Sequence, residues 1–234
     1  MKPSAIFDDF VSLLYPTLCV ACGKNLFKNE ECLCTLCRYR LPRTFFLNEE
    51  DNPVARLFWG RVRIEQACAY YYFNKGTRIQ RLIHALKYRA RTDAGILAGE
   101  LFGRELSSAT LYKNVNAIIP VPLHPKKLKI RGFNQSEVIS EGIAKGMNLP
   151  LETGSIIRTT ASETQTRKSR FKRWENVKSI FKVPHPSAIA GKHILLVDDV
   201  ATTGATLEAC AAELLKVEGC KVSIAALTYA TRVT

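Results

Sequence analysis

The sequence predicts an α/β domain built on a parallel sheet and preceded by a small zinc ribbon. Three observations support this prediction. Residues 194–197 form a continuous apolar run, which is typical of a strand buried on both faces. The runs 67–73, 117–121 and 221–229 are also strand-like, and they are separated by amphipathic segments with helical spacing. Two C-x-x-C pairs lie within 19 residues near the N-terminus.

The length of the chain bounds its domain organisation. With 234 residues, of which 47% are hydrophobic, it can bury one α/β core and carry one small appendage. We expect an N-terminal amphipathic helix, the ribbon and a linker in residues 1–60, and the α/β domain in residues 61–234. No apolar stretch approaches the roughly 20 residues that cross a bilayer, and Asp8 and Asp9 interrupt the first apolar run. We therefore expect a cytoplasmic protein without membrane insertion.

The positive charge is concentrated in the middle of the chain. Of the formal net charge of +13, residues 76–185 carry +12, from 20 basic and 8 acidic side chains. Such a region attracts a polyanionic small molecule, a nucleic acid, or both. An ordinary solvated basic surface is the remaining interpretation.

Four cysteines have the spacing of a structural zinc site. Cys19 and Cys22 form one pair, and Cys34 and Cys37 form the other. Four thiolates leave no open position on the metal, so the zinc would support folding rather than catalysis. Cys32 is a fifth sulfur beside the second pair, and we interpret it as a bystander.

Two acids and a run of small residues follow the apolar run at 194–197. Asp198 and Asp199 fall at the carboxyl end of the predicted strand, where open α/β sheets bind their ligands. The next residues lead into a helix, so backbone N–H groups and hydroxyls there would hold a phosphate. These residues are Val200, Ala201, Thr202, Thr203, Gly204, Ala205 and Thr206. The alternative is a buried strand that ends in a solvated turn and a helix cap.

A second candidate anion site follows the strand at 117–121. We interpret residues 122–133 as a basic loop that contains Lys126, Lys127, Lys129 and Arg131. If the two strands are parallel, these cations lie at the same sheet edge as Asp198 and Asp199. A basic surface loop without a ligand is the alternative.

Residues 159–176 are polar and basic, and they include Gln165 and Arg173. So long a segment without secondary structure is uncommon in a compact domain unless it acts as a lid. A lid that excludes water is one interpretation. A nucleic-acid-binding arm that stacks bases on Phe171 or Trp174 is the other.

Together, the two C-x-x-C pairs, the segment VPLHPKKLKIRGFNQ, the 159–176 segment and the motif LVDDVATTGAT resemble the ComF family of competence-associated proteins. The last motif resembles the 5-phosphoribosyl-1-pyrophosphate (PRPP) motif of type I phosphoribosyltransferases. The resemblance covers essentially the whole chain. It implies a type I phosphoribosyltransferase fold, with a parallel sheet of about five strands flanked by helices, after an N-terminal zinc ribbon.

The resemblance also implies roles for the candidate residues. Asp198 and Asp199 would contact the ribose hydroxyls, directly or through Mg²⁺, and residues 200–206 would hold the 5′-phosphate. Lys126, Lys127 and Arg131 would hold the pyrophosphate, and Gln165 and Arg173 would come from the lid.

The sequence does not identify the acceptor of a phosphoribosyl group. A second hypothesis is a non-catalytic competence protein that binds single-stranded DNA and retains a regulatory or vestigial PRPP site. Partners in the competence machinery are a further implication of the resemblance. The acid pair favours a phosphoribosyl ligand, because carboxylates add nothing to DNA binding.

Overall fold

The structure is a computed structural model that describes residues 15–159 and 180–230. The predicted N-terminal helix and most of the predicted lid, including Gln165, Arg173 and Trp174, lie outside the described residues. Across the described ranges, no helix has both the length and the apolar character that crossing a membrane requires. The elements are α1 Thr35–Arg40, β1 Ala67–Tyr72, α2 Arg78–Tyr88, α3 Thr92–Ser108, β2 Ala117–Pro120, α4 Pro125–Arg131, α5 Gln135–Met147, β3 Ile157–Arg158, β4 Phe181–Lys182, β5 His193–Ala201, α6 Ala205–Leu214 and β6 Lys221–Tyr229.

Four strands form a parallel sheet in the order β1-β6-β5-β2. The strand β5 lies in the interior of this sheet, and its residues 194–197 are fully buried, as their apolar run predicts. Because successive side chains of a strand point to opposite faces, this burial means that both faces are covered. Next to β2, where a fifth strand of the sheet would lie, the single residue Leu151 forms a parallel bridge with Ile118.

The strand β5 is longer than its apolar run. It continues through both acids to Ala201, because β6 pairs with it along this length and joins Val200 to Thr228 and Ala201 to Tyr229. The acids therefore have strand backbone on both sides rather than belonging to a turn. Ala201 is buried, so its side chain packs in the core.

Helices α3 and α5 approach each other so closely that their contact requires glycine. A Cβ atom added to Gly99 would lie 2.2 Å from the carbonyl oxygen of Ile139, and one added to Gly142 would lie 2.1 Å from that of Ile96. Helix α5 also packs on β2 and β5. The close contact therefore fixes α5 against the central strands.

The segment after α1 closes the outer edge of β1. Arg43 forms an antiparallel bridge with Tyr71, and its guanidinium lies 3.8 Å from the centroid of the Tyr70 ring. The same guanidinium forms an ion pair with Glu105 of α3. Buried residues from both sides of position 60 belong to one apolar cluster. The domain boundary near that position stays a prediction.

The basic segment after β2 contains the helix α4, where the sequence analysis expects a loop. The Nδ1 atom of His124 accepts a hydrogen bond from the backbone N–H of Lys126 over 3.1 Å and caps the helix. Gly132 ends it with a φ of 80°. Residues 125–130 are all exposed. With no buried side chain in the helix, the sequence has no apolar periodicity to reveal it.

Replacement of Gly99 by alanine tests the contact between α3 and α5. Alanine raises intrinsic helix propensity by about 1 kcal/mol, but its methyl group would overlap the Ile139 carbonyl. We expect G99A to lower the free energy of unfolding by about 2–4 kcal/mol in urea denaturation. The control Glu141→Ala, at an exposed position of α5, should change it by less than about 0.5 kcal/mol. Equal effects of the two changes would contradict the proposed packing.

Candidate functional site

The carboxylate of Asp198 is held by two donors. The Ser136 hydroxyl, in the first turn of α5, donates to Asp198 Oδ1 over 2.8 Å. The backbone N–H of Asp199 donates to the same oxygen over 2.9 Å. Asp198 therefore has a fixed orientation between β5 and the start of α5. Sequence reasoning missed Ser136, and the signal for it was its place at the beginning of a predicted helix next to the basic segment.

Protonation of Asp198 is set mainly by its surroundings. Burial, followed by the negative charge of Asp199, raises the pKa of Asp198 to about 7. The two hydrogen bonds and the positive charge of Lys87 lower this pKa without cancelling the increase. Asp198 therefore keeps its proton to a higher pH than an exposed aspartate does, because burial and the adjacent Asp199 carboxylate both oppose its ionisation.

Asp199 is paired with a cation that the sequence analysis did not assign to the site. Lys87, in the last turn of α2, places its Nζ atom 2.5 Å from Asp199 Oδ2. The backbone of Asp199 is held separately, since the Thr228 hydroxyl donates to its carbonyl oxygen over 3.0 Å. The basic character of the predicted α2 helix was visible in the sequence, but nothing in it identified which of its cations reaches the acids.

The residues after β5 form a pocket at the start of α6. Gly204 has a φ of 73°, which turns the chain into the helix. Glu208 donates the first backbone hydrogen bond of the helix, to the carbonyl oxygen of Gly204 over 2.8 Å. The N–H groups of residues 205–207 therefore lie at the open end of the helix. Asp198 and residues 200–207 line a cavity of about 40 Å³ here, where the helix dipole favours an anion.

Residues 57–61 pack against the loop that leads into α6. A Cβ atom on Gly204 would lie 3.0 Å from the Phe58 ring. Arg61 donates to the carbonyl oxygen of Thr203 over 3.0 Å and forms an ion pair with Glu208. The sequence alone indicates no role for Arg61. Its contact spans 142 residues of sequence, so no local pattern could indicate it.

The candidate pyrophosphate residues lie at the same edge of the sheet. Parallel pairing aligns β2 with β5, and the N–H of Val121 donates to the carbonyl oxygen of Val197 over 2.8 Å. Arg131 donates to Gln135 Oε1 over 2.6 Å, and its guanidinium lies 5.9 Å from the Tyr88 ring centroid. Lys126 and Lys127 are exposed, and no ion pair within residues 15–159 and 180–230 involves either.

Four thiols of the N-terminal segment converge as the spacing predicts. The sulfur atoms of Cys19, Cys22, Cys34 and Cys37 all lie within 4.8 Å of one another. The Cys22 and Cys34 sulfurs are 3.7 Å apart, close to the roughly 3.8 Å expected around tetrahedral zinc with bonds of about 2.3 Å. The donor set therefore fits a structural zinc ion. Cys32 is fully buried and does not belong to this cluster.

One thiol of the cluster is readily ionised. Burial tends to raise the pKa of Cys19, but backbone hydrogen bonds from Cys34, Cys22 and Ala21 lower it to about 7. The backbone thus favours a thiolate at this position, which is the form that binds a metal.

Comparison with known proteins links this geometry to a family. Residues 135–232 match the family model of the phosphoribosyl transferase domain. The DNA utilization protein YhgH of Escherichia coli O157:H7 is 33% identical over 138 residues, which are 58% of this chain and 60% of that protein. The competence protein ComFC of Bacillus subtilis is 29% identical over 218 residues, which are 90% of this chain and 82% of that protein. These similarities support the resemblance to the ComF family that the sequence motifs indicate.

The chain has the type I phosphoribosyltransferase fold, a parallel sheet flanked by helices. The family match includes the acid pair, the pocket at α6 and Ser136, whereas α2, α4 and the thiol cluster precede it. The match to YhgH spans about 60% of the length of that relative. Among solved structures, the B. subtilis glutamine PRPP amidotransferase superposes with a TM-score of 0.41 at 18% identity, over 60% of this chain and 30% of that one.

Replacement of Asp198 by asparagine tests the raised pKa. Because the folded protein holds the Asp198 proton more tightly than the unfolded chain does, ionisation of Asp198 destabilises the fold as the pH rises from about 4 to about 7. Asparagine does not titrate. We expect the stability of D198N relative to wild type to increase by on the order of 2–4 kcal/mol between pH 4 and pH 8, measured by urea denaturation of the zinc-loaded protein without added Mg²⁺.

A surface carboxylate provides the control for this experiment. Asp51 accepts a hydrogen bond from Arg56, which lowers the pKa of Asp51. Ionised Asp51 therefore stabilises the fold above the pKa that Asp51 has in the unfolded chain, and this stabilisation is lost as the pH falls. Asp51→Asn should therefore lose stability relative to wild type as the pH rises, which is the opposite slope. A flat difference for D198N would mean that Asp198 is not held in its protonated form.

Proposed function

We propose that this protein binds PRPP together with Mg²⁺ at the carboxyl edge of its sheet and acts as a phosphoribosyltransferase-like protein in DNA uptake. One observation carries the proposal. The acid pair on β5, the helix start that follows β5 and the basic helix α4 that follows β2 lie at one edge of the sheet, because β5 and β2 are parallel neighbours. The names of the relatives YhgH and ComFC support the role in DNA uptake.

The 5′-phosphate belongs at the start of α6. Residues 202–207 line the small cavity there, and the Ala205 N–H donates to Thr203 Oγ1 over 3.4 Å. The N–H groups of Thr206 and Leu207 and the threonine hydroxyls would donate to the phosphate. Val200 and Ala201 contribute as strand residues, since they fix where the loop begins. Arg61 neutralises Glu208 in the first turn of the helix and so removes a carboxylate that would repel the phosphate.

The ribose and the metal belong at the acid pair. Carboxylate oxygens are the ligands that Mg²⁺ prefers, and sugar hydroxyls donate hydrogen bonds to the same groups. Asp198 and Asp199 fit either partner. When bound, Mg²⁺ would neutralise charge on the pyrophosphate. Both acids act as ligands in this scheme, and neither needs to attack the sugar.

The pyrophosphate belongs beside α4. Lys126, Lys127 and Arg131 supply charge-assisted donors at this end of the site, and Gln165 and Arg173 would add to them from the segment that lies outside the described residues. Transfer to an acceptor would break the bond between the anomeric carbon and the pyrophosphate oxygen, and these cations would stabilise the departing anion. The acceptor would supply the nucleophile.

Calorimetric titration with PRPP and Mg²⁺ tests the proposal. We expect the wild-type protein to bind one PRPP per chain and the double variant Asp198→Asn/Asp199→Asn to bind at least about tenfold more weakly, because both oxygen ligands lose their charge. Glu213→Gln, in a surface ion pair at the far end of α6, should bind as wild type does. Absence of PRPP binding by the intact, zinc-loaded protein would refute the proposal.

Binding of single-stranded DNA is the second candidate function, and one surface favours it. A groove of about 600 Å³ runs between the thiol cluster and α2. Arg81, Arg89 and Arg91 line it, and His84 packs against Tyr88 with ring centroids 5.2 Å apart. Cations beside aromatic rings are typical of single-strand binding sites. In a calorimetric titration with a single-stranded oligonucleotide, the affinity should fall steeply as the salt concentration rises. The variant Asp198→Asn/Asp199→Asn should bind the oligonucleotide about as tightly as wild type.

We also propose that the four thiols bind one zinc ion per chain and that the reduced cysteines reflect a cytoplasmic location. Cys37→Ser should lose the zinc and lower the melting temperature, because metal binding contributes to folding. The matched variant Cys32→Ala should retain one zinc, since Cys32 lies outside the cluster. Elemental analysis and thermal unfolding measure both effects. A metal-free protein with an unchanged melting temperature would contradict a structural role for zinc.

A further inference from the structure

The ion pair between Lys87 and Asp199 is largely shielded from water. Their side chains are 20% and 14% exposed. Lys87 lies in the last turn of α2, where the negative end of the helix dipole favours a cation. Leu82, Ile83 and Leu86 of the same helix are buried in the core, so this turn is fixed against the domain. The position of Lys87 near the acids is therefore a property of the fold rather than of a mobile surface chain.

Each element packed around the acids contributes one group. Asp198 is the neighbouring acid on β5, and α5 contributes the Ser136 hydroxyl that bonds to it. From β6, the Thr228 hydroxyl binds the backbone of Asp199 rather than its carboxylate. Among the described residues, Lys87 is the one cation whose ion pair reaches either acid. The positive charge at this place thus comes from a single side chain.

A second cation at Asp199 would have to share its carboxylate with Lys87. Mg²⁺ binds carboxylate oxygens at about 2.0–2.1 Å, and the ammonium of Lys87 already lies 2.5 Å from Oδ2. Two positive charges this close repel each other strongly in a partly buried site. A sugar hydroxyl that approaches Asp199 Oδ2 meets the same obstacle, because that oxygen is already paired with Lys87.

We propose that Lys87 is a built-in counter-ion of the carboxylate pair, which a divalent cation or a ribose must displace from Asp199 in order to bind. This inference rests on the proposed phosphoribosyl site and adds a residue that sets its selectivity. Lys87 keeps the pair neutralised when no ligand is bound, and it makes the affinity for a metal ion alone low. A ligand that brings ribose hydroxyls, pyrophosphate and metal together displaces Lys87 more readily than the metal does.

Titration of the protein with Mn²⁺ in the absence of PRPP, followed by electron paramagnetic resonance, tests the proposal. Lys87→Met removes the charge and keeps most of the apolar side chain, and we expect it to bind Mn²⁺ at least about tenfold more tightly than wild type. Lys113→Met removes the same charge from an exposed position that precedes β2 and should leave Mn²⁺ affinity within about twofold. Adding Asp199→Asn to Lys87→Met should abolish the gain.

Two further variants guard against a folding defect. If Lys87→Met does not fold, Lys87→Gln replaces it, because its side chain is polar but uncharged, and the expected gain has the same direction. Lys87→Arg keeps the charge and should bind Mn²⁺ as weakly as wild type. Unchanged Mn²⁺ affinity in a folded, neutral Lys87 variant would overturn the proposal, as would an equal gain in Lys113→Met.

The outcome is independent of whether PRPP binds. Tight PRPP binding with no effect of Lys87 on Mn²⁺ would overturn this inference and leave the proposed function intact. A gain of Mn²⁺ affinity in a protein that binds no PRPP would support the counter-ion role of Lys87 and refute the phosphoribosyl site.

Discussion

The structure of the site depends on the repulsion between two adjacent carboxylates at the end of a buried strand. Asp198 and Asp199 cannot both carry a charge there without polar partners, and each side chain has a different partner. A hydroxyl from α5 holds Asp198, and an ammonium from α2 holds Asp199. These two helices come from opposite sides of β2 in the sequence. The electrostatic requirement of one dipeptide thus ties together elements that are distant along the chain.

The backbone framework determines where those partners stand. Glycines at the contact of α3 and α5 allow the two helices to pack closely, and this contact fixes the position of α5 on β2 and β5. Because Ser136 lies in the first turn of α5, a shift of that helix would move its hydroxyl away from Asp198. Parallel pairing of β2 with β5 fixes α4 in the same way. The geometry of the site therefore depends on the packing of glycines between α3 and α5.

Much of this arrangement is visible in the sequence, because it follows from local patterns. The apolar run at 194–197 predicted an interior strand, the acids marked its carboxyl end, and the cysteine spacing predicted the convergence of four thiols. The type I fold is confirmed by the family match. Lys87, Ser136 and Arg61 were missed, since each acts across a contact between distant segments. The helix α4 was missed for another reason, because none of its side chains is buried.

Residues 43–61 contact the α/β domain at two places, the outer edge of β1 and the loop that precedes α6. Arg43 continues the sheet beyond β1, and its stacking on Tyr70 and ion pair with Glu105 cover an edge that would otherwise expose unpaired backbone groups. Next along the chain, Phe58 and Arg61 pack over the loop that precedes α6. Arg43 therefore completes an edge of the sheet, and Phe58 and Arg61 support the loop that forms the anion site. The folding of this segment and the shape of that loop thus depend on each other.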